Sequence, residues 1–164
     1  MDKFFVSIGT SKECSIWKNE KTTWEDFVNR FKNPIRTQET VKEYESLIPA
    51  QQGRIKDVGG FVGGYLENGK RKINSVKNRS LICLDLDNPI MGEIPHIPYK
   101  ALIHSTHKHT LDKPRYRLII TLMDAVSSEE YEYISRFIAK KVGVFDEYAD
   151  KTTYQANRLM YWAS

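Results

Sequence analysis

Two aspartates one residue apart close an apolar run, Leu81-Ile82-Cys83-Leu84-Asp85-Leu86-Asp87. Strand side chains alternate between faces, so Asp85 and Asp87 share one face while Ile82, Leu84 and Leu86 point to the other, into a core. Two carboxylates so placed raise each other's pKa unless a cation sits between them. A hard divalent ion with oxygen ligands, Mg²⁺ or Mn²⁺, answers that need. The bland alternative is a pair of solvated acids ahead of an Asn88-Pro89 turn. A site for two ions needs a third acid. Asp146 and Asp150 both qualify, and spacing does not choose between them.

Ser105 and His107 fall together on one face of a strand over 101–107, with Ala101 and Ile103; His104 and Thr106 face the other way. A hydroxyl beside an imidazole at a strand end can contact a phosphate. Three of the four histidines lie between 104 and 109, but their spacing and the lack of a nearby cysteine argue against zinc. Arg115 and Arg117 share a face of the next strand, and guanidinium forks suit phosphates; charge decorating an edge strand is the competing reading. Lys70, Arg71 and Lys72, with Arg79 further on, place a basic hairpin beside the acids, as in a nucleic-acid groove. Alternation splits the three-residue run, so at least one of its side chains is simply solvated.

These residues need a scaffold, and the sequence predicts one. Apolar residues at 24, 27, 28 and 31 mark a helix capped by Thr23, and a second fits 38–47 with Pro49 as its stop. Asn68-Gly69 signals a hairpin. Strands follow over 81–87, 101–107 and 114–122. Ser127-x-x-Glu130 is a capping box opening a helix that ends at Gly143, and 158–162 reads as a last strand. The fold class is α+β with a largely antiparallel sheet and packed helices. It divides into a small N-terminal helical and hairpin lobe over residues 1–58 and a core over residues 59–164 that reads as trimmed, or as a piece of something longer.

The chain of 164 residues carries 25 Lys+Arg against 21 Asp+Glu, a net charge of +4, and is 40% hydrophobic. That excludes disorder as the main state, and the mild surplus permits an anionic partner without requiring one. No apolar run approaches the ~20 residues of a membrane span, so no membrane partner is expected. Cys14 and Cys83 form no CxxC pair and read as free thiols of a reducing cytoplasm.

Leu84-Asp85-Leu86-Asp87 resembles motif I of the archaeo-eukaryotic primase superfamily, Ser105-Thr106-His107 resembles its motif II, and a late Asp resembles its motif III. More specifically, Gly59 to Tyr65, Ser105 to Thr110 with Lys113-Pro114-Arg115, and Asp150 to Gln155 with Arg158 to Trp162 are similar to the primase-polymerase domains of phage and mobile-element replication proteins. The resemblance implies an RRM-like catalytic core that adds nucleotides on a single-stranded DNA template. It implies two divalent ions held by Asp85, Asp87 and Asp150, since the late acid of the relatives directly precedes the Thr-Thr-aromatic segment. Ser105 and His107 would contact the phosphates of a nucleoside triphosphate, with Arg115 and Arg117 adding charge.

The chain departs from these relatives at Ala163, where a proline is common. It also lacks a phosphate-binding loop for unwinding, so a helicase domain or protein is the expected partner. Two rivals stand beside this reading. One is a catalytically idle single-stranded nucleic-acid-binding module of the same fold; the other is a haloacid-dehalogenase-type phosphatase, which Asn88 argues against.

Overall fold

The run from Leu81 to Leu86 is apolar on both sides, and the fold buries it on both sides. In the computed structural model, which describes residues 3–88 and 96–164, it lies in β5 (Val76–Leu86), the long strand of an antiparallel sheet. That sheet has the order β4 (Gly64–Leu66), β5, β7 (Tyr116–Val126), β6 (Ala101–Ser105). A second antiparallel sheet has the order β2 (Lys18–Thr22), β1 (Phe4–Gly9), β3 (Gly60–Val62), β8 (Met160–Tyr161). The fold is α+β, as the sequence predicts.

Ile82, Leu84 and Leu86 pack with Leu118 and Ile120 beneath α4 (Ser128–Lys141). Leu81 and Cys83 pack on the opposite side with Val6, Phe27, Phe61, Ile119 and Met160, filling the space against the second sheet. Each fully buried aliphatic side chain contributes about 1.5–3 kcal/mol. Asp85 belongs to this second row. It sits where the apolar filling between the sheets gives out, and that position sets the site.

Helix signals in the sequence hold closely. Thr23 caps α1 (Trp24–Asn29) through Asp26 N–H, and the Ser127/Glu130 capping box is formed at α4. Gly143 ends the turn after α4 at φ +76°, a backbone conformation that suits glycine. Pro49 does more than stop α2 (Val41–Ser46): it is the first residue of another helix, α3 (Pro49–Ile55).

Three expectations are corrected. Residues 1–58 hold helices and the β1–β2 hairpin but are not a lobe apart, because β1 joins β3, whose other neighbour is β8. The sequence reading missed these strands; β2, Lys-Asn-Glu-Lys-Thr, is polar throughout and carries no apolar alternation. Asn68 and Gly69 both take positive φ, 52° and 63°, but in a 3-10 turn within the longer 67–75 connection from β4 to β5. The last strand is shorter than 158–162. The Asn88-Pro89 turn reading lies partly outside the described residues. Among the described residues no helix is long and apolar enough to cross a membrane.

Candidate functional site

β5, β6 and β7 run side by side, so their register decides which polar residues meet. Asp85 pairs with Arg117 and Arg117 with His104, giving one row across three strands. Arg117 Nε donates to Asp85 Oδ1 at 2.6 Å and its Nη1 to Tyr161 O at 2.5 Å, and both side chains are nearly buried. One pleat further, Arg115 Nη1 donates to Asp87 Oδ1 at 3.0 Å across a more open pair. Asp85 and Asp87 thus share one face, as alternation requires, and the cation each finds is an arginine.

The third acid comes from far along the chain. Asp150 N–H donates to Asp85 O, and Thr153 Oγ1 donates to Cys83 O at 2.7 Å while accepting from Asp85 N–H at 3.0 Å. This fully buried threonine pins a 3-10 turn, Lys151–Tyr154, to the end of β5. Asp150 caps the turn through Thr152 N–H and Oγ1, and Arg158 Nη2 donates to its Oδ2 at 2.8 Å. Partial burial would raise the Asp150 carboxyl; the Thr152 bonds and the Arg158 and Lys56 charges outweigh it and hold the pKa below the ordinary value.

All three acids line one cavity of about 510 Å³. Among the described residues, seven cationic side chains line it with them, including Lys56, Arg71 and Lys108 beside the three paired arginines, a surplus of four positive charges. Burial, and then repulsion from Lys108 and Arg158, lowers the pKa of Lys56. Two of the cavity's arginines, Arg71 and Arg158, keep a buried Nε–H with no acceptor among the described residues.

His107 lines the same cavity, its Nδ1 2.9 Å from Ser164 Oγ and its ring 4.6 Å from that of Tyr44. Burial lowers its pKa, partly opposed by Glu39, so it is neutral at pH 7. His107 also belongs to a neighbouring cavity of about 650 Å³ between α2 and the 105–115 segment, and so do Thr106 and Arg115.

Other expected site residues are placed differently. Ser105 is exposed and lines the second cavity, not the acid-lined one. Its neighbour His104 takes the position on the acid face that the sequence reading gave to the other side. Of the basic run, Arg71 lines the acid cavity, bonded to Asn157 O and Lys12 O, while Lys70 and Lys72 are exposed outside its lining. Arg79 is the clear correction. It is fully buried, its guanidinium bonded to Gly63 O, Ala156 O, Leu81 O and Tyr131 Oη, so it cannot touch a nucleic acid. Asp146 lies away from the cavity, exposed beside Arg136.

His104 was missed as a cavity residue, and it carries a testable property. Its Nδ1 lies 2.7 Å from Ser105 O, so that nitrogen holds the proton, and Nε2 is buried without a partner among the described residues. Burial, and then the Arg117 charge, lowers its pKa to about 4. In the unfolded chain the imidazole protonates as pH falls through about 6.5; in the folded chain it resists until about 4. The corresponding stability is therefore complete above pH 6.5 and is lost as pH falls between those values, with roughly 2 kcal/mol gone by pH 5. Urea unfolding at pH 7 and pH 5 measures this, and His104→Gln should flatten the slope; an unchanged slope in the variant would assign the pH dependence elsewhere.

The donor set can be weighed against the divalent ions the sequence suggests. Three carboxylates of one cavity supply hard oxygen donors, and Asp85 Oδ2 has no hydrogen-bond partner among the described residues. The chemistry fits such ions. As arranged, each acid is held by an arginine, and among the described residues no three acidic, histidine or cysteine groups converge as a ligand set. No curated protein and no solved structure matches the chain. A family model described as VapE N-terminal domain matches residues 1–164. The acid-lined, arginine-rich cavity and the two sheets that frame it are therefore features of a member of the VapE N-terminal domain family, to which this chain belongs.

Proposed function

We propose that this domain is a nucleotidyltransferase core of the primase-polymerase kind. It would take a nucleoside triphosphate and extend a strand on a single-stranded DNA template during replication of a phage, plasmid or other mobile element. The observation that carries this reading is the cavity itself: three hard-oxygen acids inside a surplus of four positive charges. A polyphosphate chain with divalent ions is the ligand that satisfies both sets at once. The family supports the setting, since VapE proteins are associated with phages and mobile elements. A helicase, as another chain or segment, is the partner this role calls for.

Asp85, Asp87 and Asp150 are the residues that would hold two Mg²⁺ or Mn²⁺ ions, which when bound lower the pKa of an attacking 3′-hydroxyl and offset charge on the leaving pyrophosphate. The protein's own work is positioning and electrostatics. Arg115, Arg158 and Arg71 offer donors to phosphate oxygens, and Lys108 adds charge at the mouth. Neutral His107, fixed through Ser164 and Tyr44, offers Nε2 to the bound nucleotide. Thr153 holds the Asp150 turn against β5 so that the late acid keeps its place.

The test is incorporation of labelled nucleotides on single-stranded DNA with Mg²⁺ or Mn²⁺, with a chelator control. Asp87→Asn should keep the fold, because its pair with Arg115 is about one third exposed and such pairs contribute little to stability. Its rate should fall at least about a hundredfold, the scale of removing one preorganised charge from a reaction site. Wild-type incorporation by Asp87→Asn overturns the assignment. A second reading rests on the arginine pairing, which leaves the cavity cationic without any metal and able to hold single-stranded nucleic acid without chemistry. DNA binding with no nucleotide binding or incorporation would favour that reading.

A further inference from the structure

We infer that the outer arginine–aspartate pairs of the cavity form a latch that makes polyphosphate and divalent ion bind together and disfavours either alone. The inference rests on the nucleotide reading above and specifies how that site selects its ligand. The three pairs are not equivalent. Arg117–Asp85 is nearly buried, with side-chain exposures of 6% and 11%, and Tyr161 O anchors the guanidinium from behind. It stays closed. Arg115–Asp87 is 33% and 43% exposed and Arg158–Asp150 is 34% and 26% exposed, so solvent already screens them and a competing partner can open them.

Charge decides what can open them. A divalent ion arriving alone must take Asp87 or Asp150 from its arginine. That leaves a freed guanidinium beside the ion, in a cavity already lined by Lys56, Arg71 and Lys108. A polyphosphate arriving alone must draw the arginines away and lie against bare carboxylates. When both arrive, each charge finds an opposite: the carboxylates turn to the ion and the guanidiniums to phosphate oxygens. Coupling of this kind is reciprocal, so each ligand strengthens the other by the same factor.

The experiment uses a nonhydrolysable nucleoside triphosphate and Mn²⁺, titrated singly and together by calorimetry, after correction for the affinity of the nucleotide for the ion in solution. In the wild type, Mn²⁺ should bind at least about tenfold more tightly with nucleotide present, within the usual range of coupling between sites. Two variants decide the mechanism. Arg115→Gln unlatches Asp87, so Mn²⁺ alone should bind more tightly, by about fivefold or more, while nucleotide binds more weakly. Asp87→Asn is the mirror: the triphosphate without metal should gain affinity and Mn²⁺ should lose it. Thermal melts show whether each variant is folded. An Arg115→Gln protein that loses nucleotide affinity but leaves Mn²⁺ unchanged overturns the latch, and the nucleotide reading survives. A wild type that binds no triphosphate with Mg²⁺ present overturns both.

Discussion

Replacing Arg79 with methionine should cost the domain a large part of its stability. The guanidinium is fully buried, with 2.6 Å to Ala156 O, 3.0 Å to Leu81 O, 3.2 Å to Gly63 O and 3.0 Å to Tyr131 Oη, and its plane lies 4.0 Å over the Tyr131 ring. Burial pushes the Tyr131 hydroxyl up to about 12, so it remains a neutral partner. Methionine fills much of the space but offers no donors. It would take the side-chain donor from the buried Ala156 and Leu81 carbonyls, at about 1–3 kcal/mol each, while Gly63 O keeps the Ser80 and Leu81 N–H groups. The sum, roughly 2–6 kcal/mol, is a large part of the ~5–15 kcal/mol that a domain of this kind possesses in total. Lysine would keep a charge but, as a single ammonium, could not span acceptors on separate segments. Chemical denaturation of Arg79→Met measures the loss. A variant within about 1 kcal/mol of wild type would mean that water reaches those carbonyls, contrary to a closed core.

The two late acids should separate cleanly. Asp150→Asn is expected to lower nucleotide incorporation about a hundredfold, since it removes one of three carboxylates from the cavity and the ionic partner of Arg158. It should also cost about 1 kcal/mol of stability, because an amide is a poorer acceptor at the Thr152 turn. Asp146→Asn should leave incorporation within about twofold. Its carboxylate is 66% exposed, 3.3 Å from Arg136, on a different surface, and pairs of that kind contribute at most ~1 kcal/mol. Parallel rate measurements and melts on the two variants check this. Equal damage from both, or greater damage from Asp146→Asn, would reverse the choice of third acid.

What could be read without coordinates divides along physical lines. Local signals were legible: Thr23 and Ser127 as helix caps, Gly143 as a stop, and the common face of Asp85 and Asp87. Each depends on residues within four positions of one another. The β1–β2 hairpin was not legible, because β2 is held by backbone pairing to β1 and its side chains carry no period-two pattern. Arg79 read as a surface charge because its acceptors come from residues distant in sequence, and only packing brings them near.

Strand alternation alone also misplaced Ser105 and His104. β6 ends at Ser105, so alternation cannot be carried on to His107, and it is the β6–β7–β5 register that puts His104 in line with Asp85. The three acids, Arg115 and Arg117 were each identified from the sequence, but Arg158 was not, and neither was the pairing of acids with arginines. The expectation of two carboxylates awaiting a cation treated Arg115 and Arg117 as separate phosphate contacts. Register shows that every acid is answered by an arginine before any ligand arrives.

The contacts that close the cavity also dictate when it can exist. Arg79 reaches Ala156 across 77 positions of chain, and Thr153 reaches Cys83 across 70. Joining segments so far apart demands loop-closure entropy before the contact rewards it, a pattern associated with folding in milliseconds to seconds. During synthesis, the Asp85–Asp87 strand therefore emerges long before the segment that completes both its pocket and its core. A nascent or clipped chain ending before residue 150 holds two of the acids, and its Arg79 has no Ala156 carbonyl to meet. In this domain the third acid of the cavity and the completion of folding arrive within the same few residues.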